Sequence, residues 1–348
     1  MSTDELVRTS PAPTVAQRAR RALGRFDRRF LPVLGTVLAL LLLLGVGQER
    51  YSTDRTDFVS MKLLSNLLVD NSYLLVLAVG MTFVILTGGI DLSVGAVVAL
   101  VGLAIAELFT LGLPMPVVLA VGVLIGTACG LLIGVMVQVF DVQPFIASLA
   151  VMFLARGLAN VISVNSLRIE NDQFSALAAW SLKFGEGRQL WRINASMLVA
   201  LAVLLIAFLV LHYTRFGRSV YGLGAGDGGA AVHLMGLRPA RTRVWVYVVS
   251  GTCAGIAGVL FALYTKSGFN LTGIGMELDA IAAVVIGGTL LSGGVGFVLG
   301  TGAGVLVYGL IQVLIAREGL DSWWTRVFIG VVLLAFVVLQ RVLAVRRR

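Results

Sequence analysis

Charge is what this 348-residue chain has little of: 13% of its residues are Asp, Glu, Lys or Arg, against about a quarter in a soluble domain. Cysteine, histidine and lysine are scarcer still. The two cysteines, Cys129 and Cys253, stand inside apolar runs, so small core packing is expected of them and no disulfide framework. The two histidines, His212 and His233, have no cysteine or second histidine at ligand spacing, and no metal site is expected. Of three lysines, only Lys266 precedes a Ser or Thr, and Thr265 stands before it where a P-loop requires Gly. Gly224-Ala225-Gly226-Asp227-Gly228-Gly229 fits GxGxxG, but a dinucleotide fingerprint needs a preceding strand and a βαβ unit of about 30 residues. The apolar runs on either side leave no room for one. Ser, His and Asp do not order into a nucleophilic arrangement either, so no catalytic residue is assigned and an ordinary globular enzyme is excluded.

What the chain has in abundance is apolar residues, 58% of the total, with a mean hydropathy of +0.96. They fall into runs near the roughly 20 residues that cross a bilayer, at about 31–47, 73–87, 92–112, 115–137, 145–164, 194–213, 244–264, 277–291, 295–316 and 327–345. Ten spans are expected, two of them short. The first follows Arg25, Arg28 and Arg29 as a signal peptide would, but no small-residue cleavage site precedes Gln48-Glu49-Arg50, so a retained anchor is expected. Open sheet edges cannot be satisfied in lipid. The expected fold is therefore an all-α integral membrane protein.

The formal net charge of +9 would raise nucleic acid as a partner in a soluble protein. Here its placement argues topology instead. Seven arginines precede residue 30, five basic residues lie between Arg215 and Arg243, and four between Arg341 and Arg348, with only Asp4, Glu5, Asp27 and Asp227 among them. That is the pattern of segments held in the cytoplasm. Starting inside, the segment 214–243 follows six crossings and the C-terminus follows ten, so every strongly basic stretch falls on one side. Both termini are expected to be cytoplasmic, and no nucleic-acid partner is expected. The chain divides into a basic segment 1–30, a ten-span domain 31–345 and a basic tail 346–348. The outer segments 48–72 and 165–193 are near charge balance, and Trp180, Trp191, Trp323 and Trp324 suit an interfacial belt.

Gly88-Gly89-Ile90-Asp91-Leu92-Ser93-Val94-Gly95 recurs as Gly287-Gly288-Thr289-Leu290-Leu291-Ser292-Gly293-Gly294, both reading GGxxLSxG at an offset of 199 residues. Glycine pairs followed by a capping Ser, in segments too short to span comfortably, suit discontinuous membrane helices, and matched breaks point to a translocation path. With 41 glycines in the chain, chance similarity is the competing explanation. Asp91, an ionisable group beside a break, is a functional candidate. Its plainer role is an N-cap, with Asp91 or Ser93 satisfying the free N–H groups of the span 92–112; Leu290 in the second copy favours that role. Glu107 and Arg156 lie within apolar runs and are expected to pair with each other or with Asp279, or to snorkel.

The segment 214–243 is too short for a domain and too long for a turn. It opens with Arg215-Phe216-Gly217-Arg218-Ser219 and offers a short helix over 230–235, closed by Gly236 as a C-terminal cap. An apolar-faced short helix rimmed by arginines fits a groove on a soluble subunit; a solvated loop held inside by its charge is the alternative.

These residues resemble a known family, the membrane permeases of bacterial ATP-binding-cassette importers for ribose, galactose, xylose and galactofuranose. The resemblance is carried by GMTFVILTGGIDLSVG at 80–95, QPFIASL at 143–149 with ARGL at 155–158, FGR at 216–218 and ELDAIAAVVIGGT at 277–289, and it covers about residues 60–345 in order. GLIQ at 309–312 and SWWT at 322–325 look most like the galactofuranose branch. The resemblance implies a ten-helix permease of the bacterial cytoplasmic membrane, working with a second permease, ATPase subunits and an extracytoplasmic sugar-binding protein. ATP and Mg would be held by the ATPase, with no cofactor on this chain.

By the family pattern the segment 214–243 is the coupling element, which gives Phe216, Gly217, Arg218, Gly236 and Arg238 the role of contacting the ATPase. The broken helices would form the path, with Thr82, Thr87, Gly88, Gly89, Asp91, Ser93, Gly287, Gly288, Thr289 and Ser292 as its residues. The family commonly has Asn and Glu near 227–229, where this chain has Gly228-Gly229. Neutral sugars need hydrogen-bonding groups rather than charge, and the Thr and Ser hydroxyls supply them, although such residues also serve as helix-packing glue. Two other readings stay open: a permease for another small solute such as branched-chain amino acids, and an ion-coupled secondary transporter with Asp91 as its coupling carboxylate.

Overall fold

The computed structural model describes residues 31–52, 57–185, 190–226, 232–233, 236–321 and 323–345. Helix α1 (Leu31–Tyr51) leads to α2 (Met61–Asp70) and α3 (Ser72–Leu86), which meet at a bend of 61°. At that bend Asn71 Nδ2 donates to Leu67 O and Ser72 Oγ to Val69 O, adding side-chain bonds to the carbonyls that the Asn71 N–H also contacts. Next come α4 (Val94–Thr110), α5 (Met115–Val139), α6 (Pro144–Ile162), the short α7 (Asp172–Ala179) and α8 (Ala195–Tyr213). The chain continues through α9 (Arg215–Leu223), α10 (Pro239–Thr265), α11 (Met276–Ile286), α12 (Val298–Arg317) and α13 (Trp323–Val345).

Six of the described helices are long and apolar enough to cross a membrane, seven if α2 and α3 count as one bent span. The segments 92–112 and 277–291, expected as spans, contain helices of only 17 and 11 residues. The all-α expectation needs one correction. Two small antiparallel sheets are present, β1 (Leu167–Arg168) with β4 (Ser267–Gly268), and β2 (Ser181–Phe184) with β3 (Trp191–Asn194). All four strands lie in the segments that connect the helices.

The centre of the molecule is α3, α4 and α10. Residues 74–86 of α3 and 94–106 of α4 are buried without exception, as befits helices that are apolar on every face. Helix α10 packs on α5, α3 and α4. A Cβ on Gly126 of α5 would strike the backbone of Gly251 and Gly255, and one on Gly130 the backbone of Tyr247 and Gly251. This small-xxx-small contact lets the two backbones approach as membrane helices often do, and Thr127 Oγ1 and Thr252 Oγ1 hydrogen-bond across it at 2.9 Å.

Arg156 does not form the ion pair expected from its position. Its Nη1 donates to the carbonyls of Asn270 and Thr272, both at 2.6 Å, which fastens the segment between α10 and α11 onto α6. Carbonyls satisfy a half-buried guanidinium without desolvating a second ion. Asp279 instead hydrogen-bonds Tyr308, and Glu107 is exposed. Helix α1 attaches to the second half of the chain: Thr36 Oγ1 donates to Ile286 O, and at the other end Arg50 Nε lies 2.5 Å from Glu318 Oε1.

Candidate functional site at two helix breaks

The helices that lead into the two repeated motifs end in the same way. In α3 the N–H of Gly88 bonds to Ile85 O at 2.9 Å and that of Gly89 to Val84 O at 3.1 Å; in α11 Gly288 bonds to Val285 O at 2.9 Å and Thr289 to Val284 O at 3.2 Å. This is a Schellman close, which wants a left-handed residue at its turn. Gly88 (φ 78°) and Gly288 (φ 93°) supply it. The structural partner of Gly88 is thus Gly288, one position out of step with the sequence match to Gly287. A pair of consecutive glycines aligns the sequence, whereas a single glycine at positive φ aligns the geometry. Gly287 is needed for packing instead, because a Cβ there would strike the Gly300 backbone of α12.

Past the close the two breaks diverge. In the first, Asp91 Oδ1 accepts from the Ser93 N–H at 2.9 Å and from Ser93 Oγ at 2.6 Å, and Oδ2 accepts from Ser250 Oγ of α10 at 2.8 Å. The carboxylate is fully buried. The N-cap expectation is met in part: Asp91 accepts the Ser93 N–H, whereas Ser93, whose own backbone is already helical (φ −78°, ψ −21°), makes no side-chain cap bond to α4. The second break has no acid. The Leu290 N–H bonds to Val295 O and that of Gly293 to Leu290 O, with Gly293 (φ 82°) and Gly294 (φ 75°) both left-handed. Ser292 is exposed, and α12, which begins at Val298 after Phe297, has no side-chain cap. Thr289 is fully buried against Gly296, and among the described residues its hydroxyl has no partner.

The breaks touch each other and α9. The Gly294 N–H bonds to Leu86 O at 2.8 Å. A Cβ on Gly224, which follows α9 directly, would strike Leu86 O, Gly294 N and the Gly293 carbonyl carbon. Tyr221 donates its hydroxyl hydrogen to Gly296 O at 2.9 Å, and Phe216 stacks on Phe83 of α3 with ring centroids 6.2 Å apart. Helix α9 is capped by Thr214, whose Oγ1 accepts from the Gly217 N–H at 3.2 Å, while Gly217 presses on the Leu211 backbone with no room for a Cβ. A displacement of α9 therefore bears on both breaks at once.

The coupling residues expected from the sequence fall into two sets. Phe216 is half-buried and Gly217 buried, both against the rest of the chain, whereas Arg218, Gly236 and Arg238 are exposed. Gly236 is left-handed (φ 69°), and its N–H bonds to His233 O while that of Leu237 bonds to Val232 O, the geometry of a helix-closing glycine. Of the helix expected over 230–235 only 232–233 are described, and 227–229 lie outside the described residues. Among the residues expected to line a path, Thr82 Oγ1 donates to Ala78 O at 2.7 Å and lies 2.8 Å from Thr301 Oγ1, a buried fastening between α3 and α12. Thr87 Oγ1 donates to Val84 O at 2.8 Å, and a Cβ on Gly89 would strike the Tyr247 hydroxyl.

Sequence reasoning missed α9 as a helix, and with it Tyr221 and Gly224. Phe216, Val220 and Leu223, spaced i, i+4, i+7 behind the capping Thr214, carried the signal. Ser250 gave none, because its partnership with Asp91 joins residues from distant parts of the chain.

Residues 63–337 match the family model described as branched-chain amino acid transport system, permease component. The chain belongs to this permease family. The permease is 39% identical over 320 residues to the fructose import permease protein FruG of Bifidobacterium longum, which covers 91% of this chain and 92% of that one. It is 41% identical to the inner membrane ABC transporter permease protein YjfF of Escherichia coli, with 91% and 94% covered, and 36% identical to the ribose import permease protein RbsC of Escherichia coli, with 90% and 95% covered. No solved structure matches it. The permease is a multi-pass protein of the bacterial cytoplasmic membrane and not an enzyme; ATP hydrolysis belongs to a separate subunit.

Proposed function

We propose that this permease forms the membrane path of an ATP-binding-cassette importer for a monosaccharide. The observation that carries the mechanism is the junction at Gly224, where the end of α9 contacts the backbone of both breaks. In this reading ATP and Mg bind to ATPase subunits, which close on the exposed Arg218 of α9 and Arg238 at the start of α10. Tyr221 and Gly224 pass that movement to Gly296, Gly293 and Gly294, and the contact between the breaks, Gly294 N–H to Leu86 O, opens and closes the path. An extracytoplasmic binding protein delivers the sugar at the opposite face, and a second permease, identical or different, completes the path. Ten crossings with both termini cytoplasmic fit if the bent α2 and α3, the short α4 and α11, and α13 each contribute to a crossing beside the other long helices.

Support for a sugar comes from the relatives named for fructose and ribose, aligned over nine tenths of the chain, and from a path whose polar groups are hydroxyls and backbone. An amino acid zwitterion or a coupling cation would need a carboxylate to itself, and Asp91 is committed to Ser93 and Ser250. The test is ATP-dependent uptake by the reconstituted importer of labelled D-fructose, D-ribose, galactofuranose and L-leucine. One of the sugars should enter. Leucine uptake with none of the sugars transported would overturn the reading. Arg218→Glu should separate ATP hydrolysis from uptake, and unchanged sugar-stimulated hydrolysis would remove α9 from the coupling role.

A further inference from the structure

Beside the first break lies a cavity of about 480 Å³, within the size range of small-molecule sites. Gly88 and Gly89 of the break line it, with Asp141 and Gln143 from the turn between α5 and α6, Leu223 of α9 and Arg243 of α10. Leu223 and Arg243 belong to the segment that the basic residues assign to the cytoplasm, so the cavity lies at that face. The turn that presents Asp141 and Gln143 is fixed: Asp141 is left-handed at φ 53°, which Asp tolerates better than most residues, and the Val142 N–H bonds to Met136 O at 3.1 Å. Both side chains are exposed, and among the described residues neither has a hydrogen-bond partner. Asp141 and Gln143 thus offer acceptors and an amide donor suited to neighbouring hydroxyls, and the Asp141 carboxylate disfavours a phosphate.

We propose that this cavity is an inward-facing station for the imported neutral monosaccharide, and that its occupancy restrains further import. The inference rests on the sugar-permease reading above and deepens it. A sugar held there touches the first break, the α5–α6 turn, α9 and α10 together. Movement of α9 against the breaks changes the walls of the cavity, so a ligand that fits one arrangement stabilises that arrangement. At a concentration about ten times its dissociation constant, the ligand favours the arrangement it fits by roughly elevenfold.

The importer is reconstituted in vesicles with ATP and Mg in the lumen and the binding protein outside with labelled D-fructose or D-ribose. Initial influx is measured as the lumen is preloaded with rising concentrations of the same unlabelled sugar, and with sucrose at equal osmolarity as the control. Wild-type influx should fall several-fold with the monosaccharide and stay unchanged with sucrose. In Asp141→Asn and Gln143→Ala, each measured relative to its own influx into empty vesicles, several-fold more luminal sugar should be needed for the same fractional fall. Influx indifferent to luminal sugar, or variants inhibited at the wild-type concentration, would overturn the inference. Absence of uptake of either sugar into empty vesicles would overturn the proposed function and this inference with it.

Discussion

The first break is held by side chains and the second by backbone. Both follow a helix closed by a left-handed glycine, yet Asp91 ties the first to Ser250 in the buried α10, while the second reaches its neighbours where Gly293 and Gly294 let main chain approach main chain. Three hydrogen bonds converge on Asp91, one of them from α10, and each buried hydrogen bond contributes about 1 kcal/mol. The first break therefore reads as the fixed side of the gate. Under the proposed mechanism the second, which contacts Tyr221 and Gly224 at the end of α9, is the side that moves.

Gly224→Ala should break this comparison most severely. The added methyl meets Leu86 of the first break and Gly293 and Gly294 of the second, and overpacking of this kind costs about 1–3 kcal/mol. Uptake should fall by roughly tenfold or more while basal ATP hydrolysis persists. Gly226 supplies the control. It is left-handed (φ 87°), unlike Gly224, and has open space where a Cβ would go, so Gly226→Asn, tolerated in that conformation, should leave uptake near wild type. Equal losses in both variants would show that the segment needs flexible glycines rather than a close fit at Gly224.

Asp91→Ala comes next and acts on stability. It strands the buried hydroxyls of Ser93 and Ser250, at about 1–3 kcal/mol for each unsatisfied group, and should lower the Tm of the purified importer clearly, with Asp91→Asn recovering part of the loss. Thr289→Val probes the second break in the opposite sense. The Thr289 hydroxyl is buried without a partner among the described residues, so a methyl of the same shape should leave Tm unchanged or raise it slightly. A Thr289→Val loss as large as that of Asp91→Ala would erase the distinction between a side-chain-tied and a backbone-tied break.

Glycine pairs in short apolar segments made both breaks legible from composition, because only left-handed closes and close backbone approach demand that residue. Their register was not legible, since φ is a property of one position and the sequence offers two adjacent glycines. Helix α9 was hidden because Arg215, Gly217, Arg218 and Gly222 give it the composition of a loop; its stability comes from burying Phe216, Val220 and Leu223 against the rest of the chain. Asp91 was legible as an acid beside a break, and local spacing suffices for its bond from the Ser93 N–H. Its other partner, Ser250, lies on a helix of the second half and left no local signal. The acceptors of Arg156 were hidden too, since carbonyls leave no trace in side-chain identity.

The smallest effect expected concerns the outer tether of the second break. Helix α1 holds that half at two points, Thr36 to Ile286 O beside the break and Arg50 with Tyr51 to Glu318 just past α12. The hydrogen bonds from Arg50, and then from Tyr51, keep the Glu318 carboxyl below the usual glutamate range. A carboxyl depressed in the folded state contributes stability that is complete above its ordinary value, about 4.3, and is lost as pH falls through the folded value. The pair is open to solvent, so screening keeps the contribution slight and salt-sensitive. Glu318→Gln should therefore lower Tm a little at neutral pH and low salt, and the difference should shrink in high salt and vanish in acid below the folded value. A difference that survives acid would assign Glu318 to packing at the end of α12, and no difference at neutral pH would leave Thr36 as the contact through which α1 steadies the moving break.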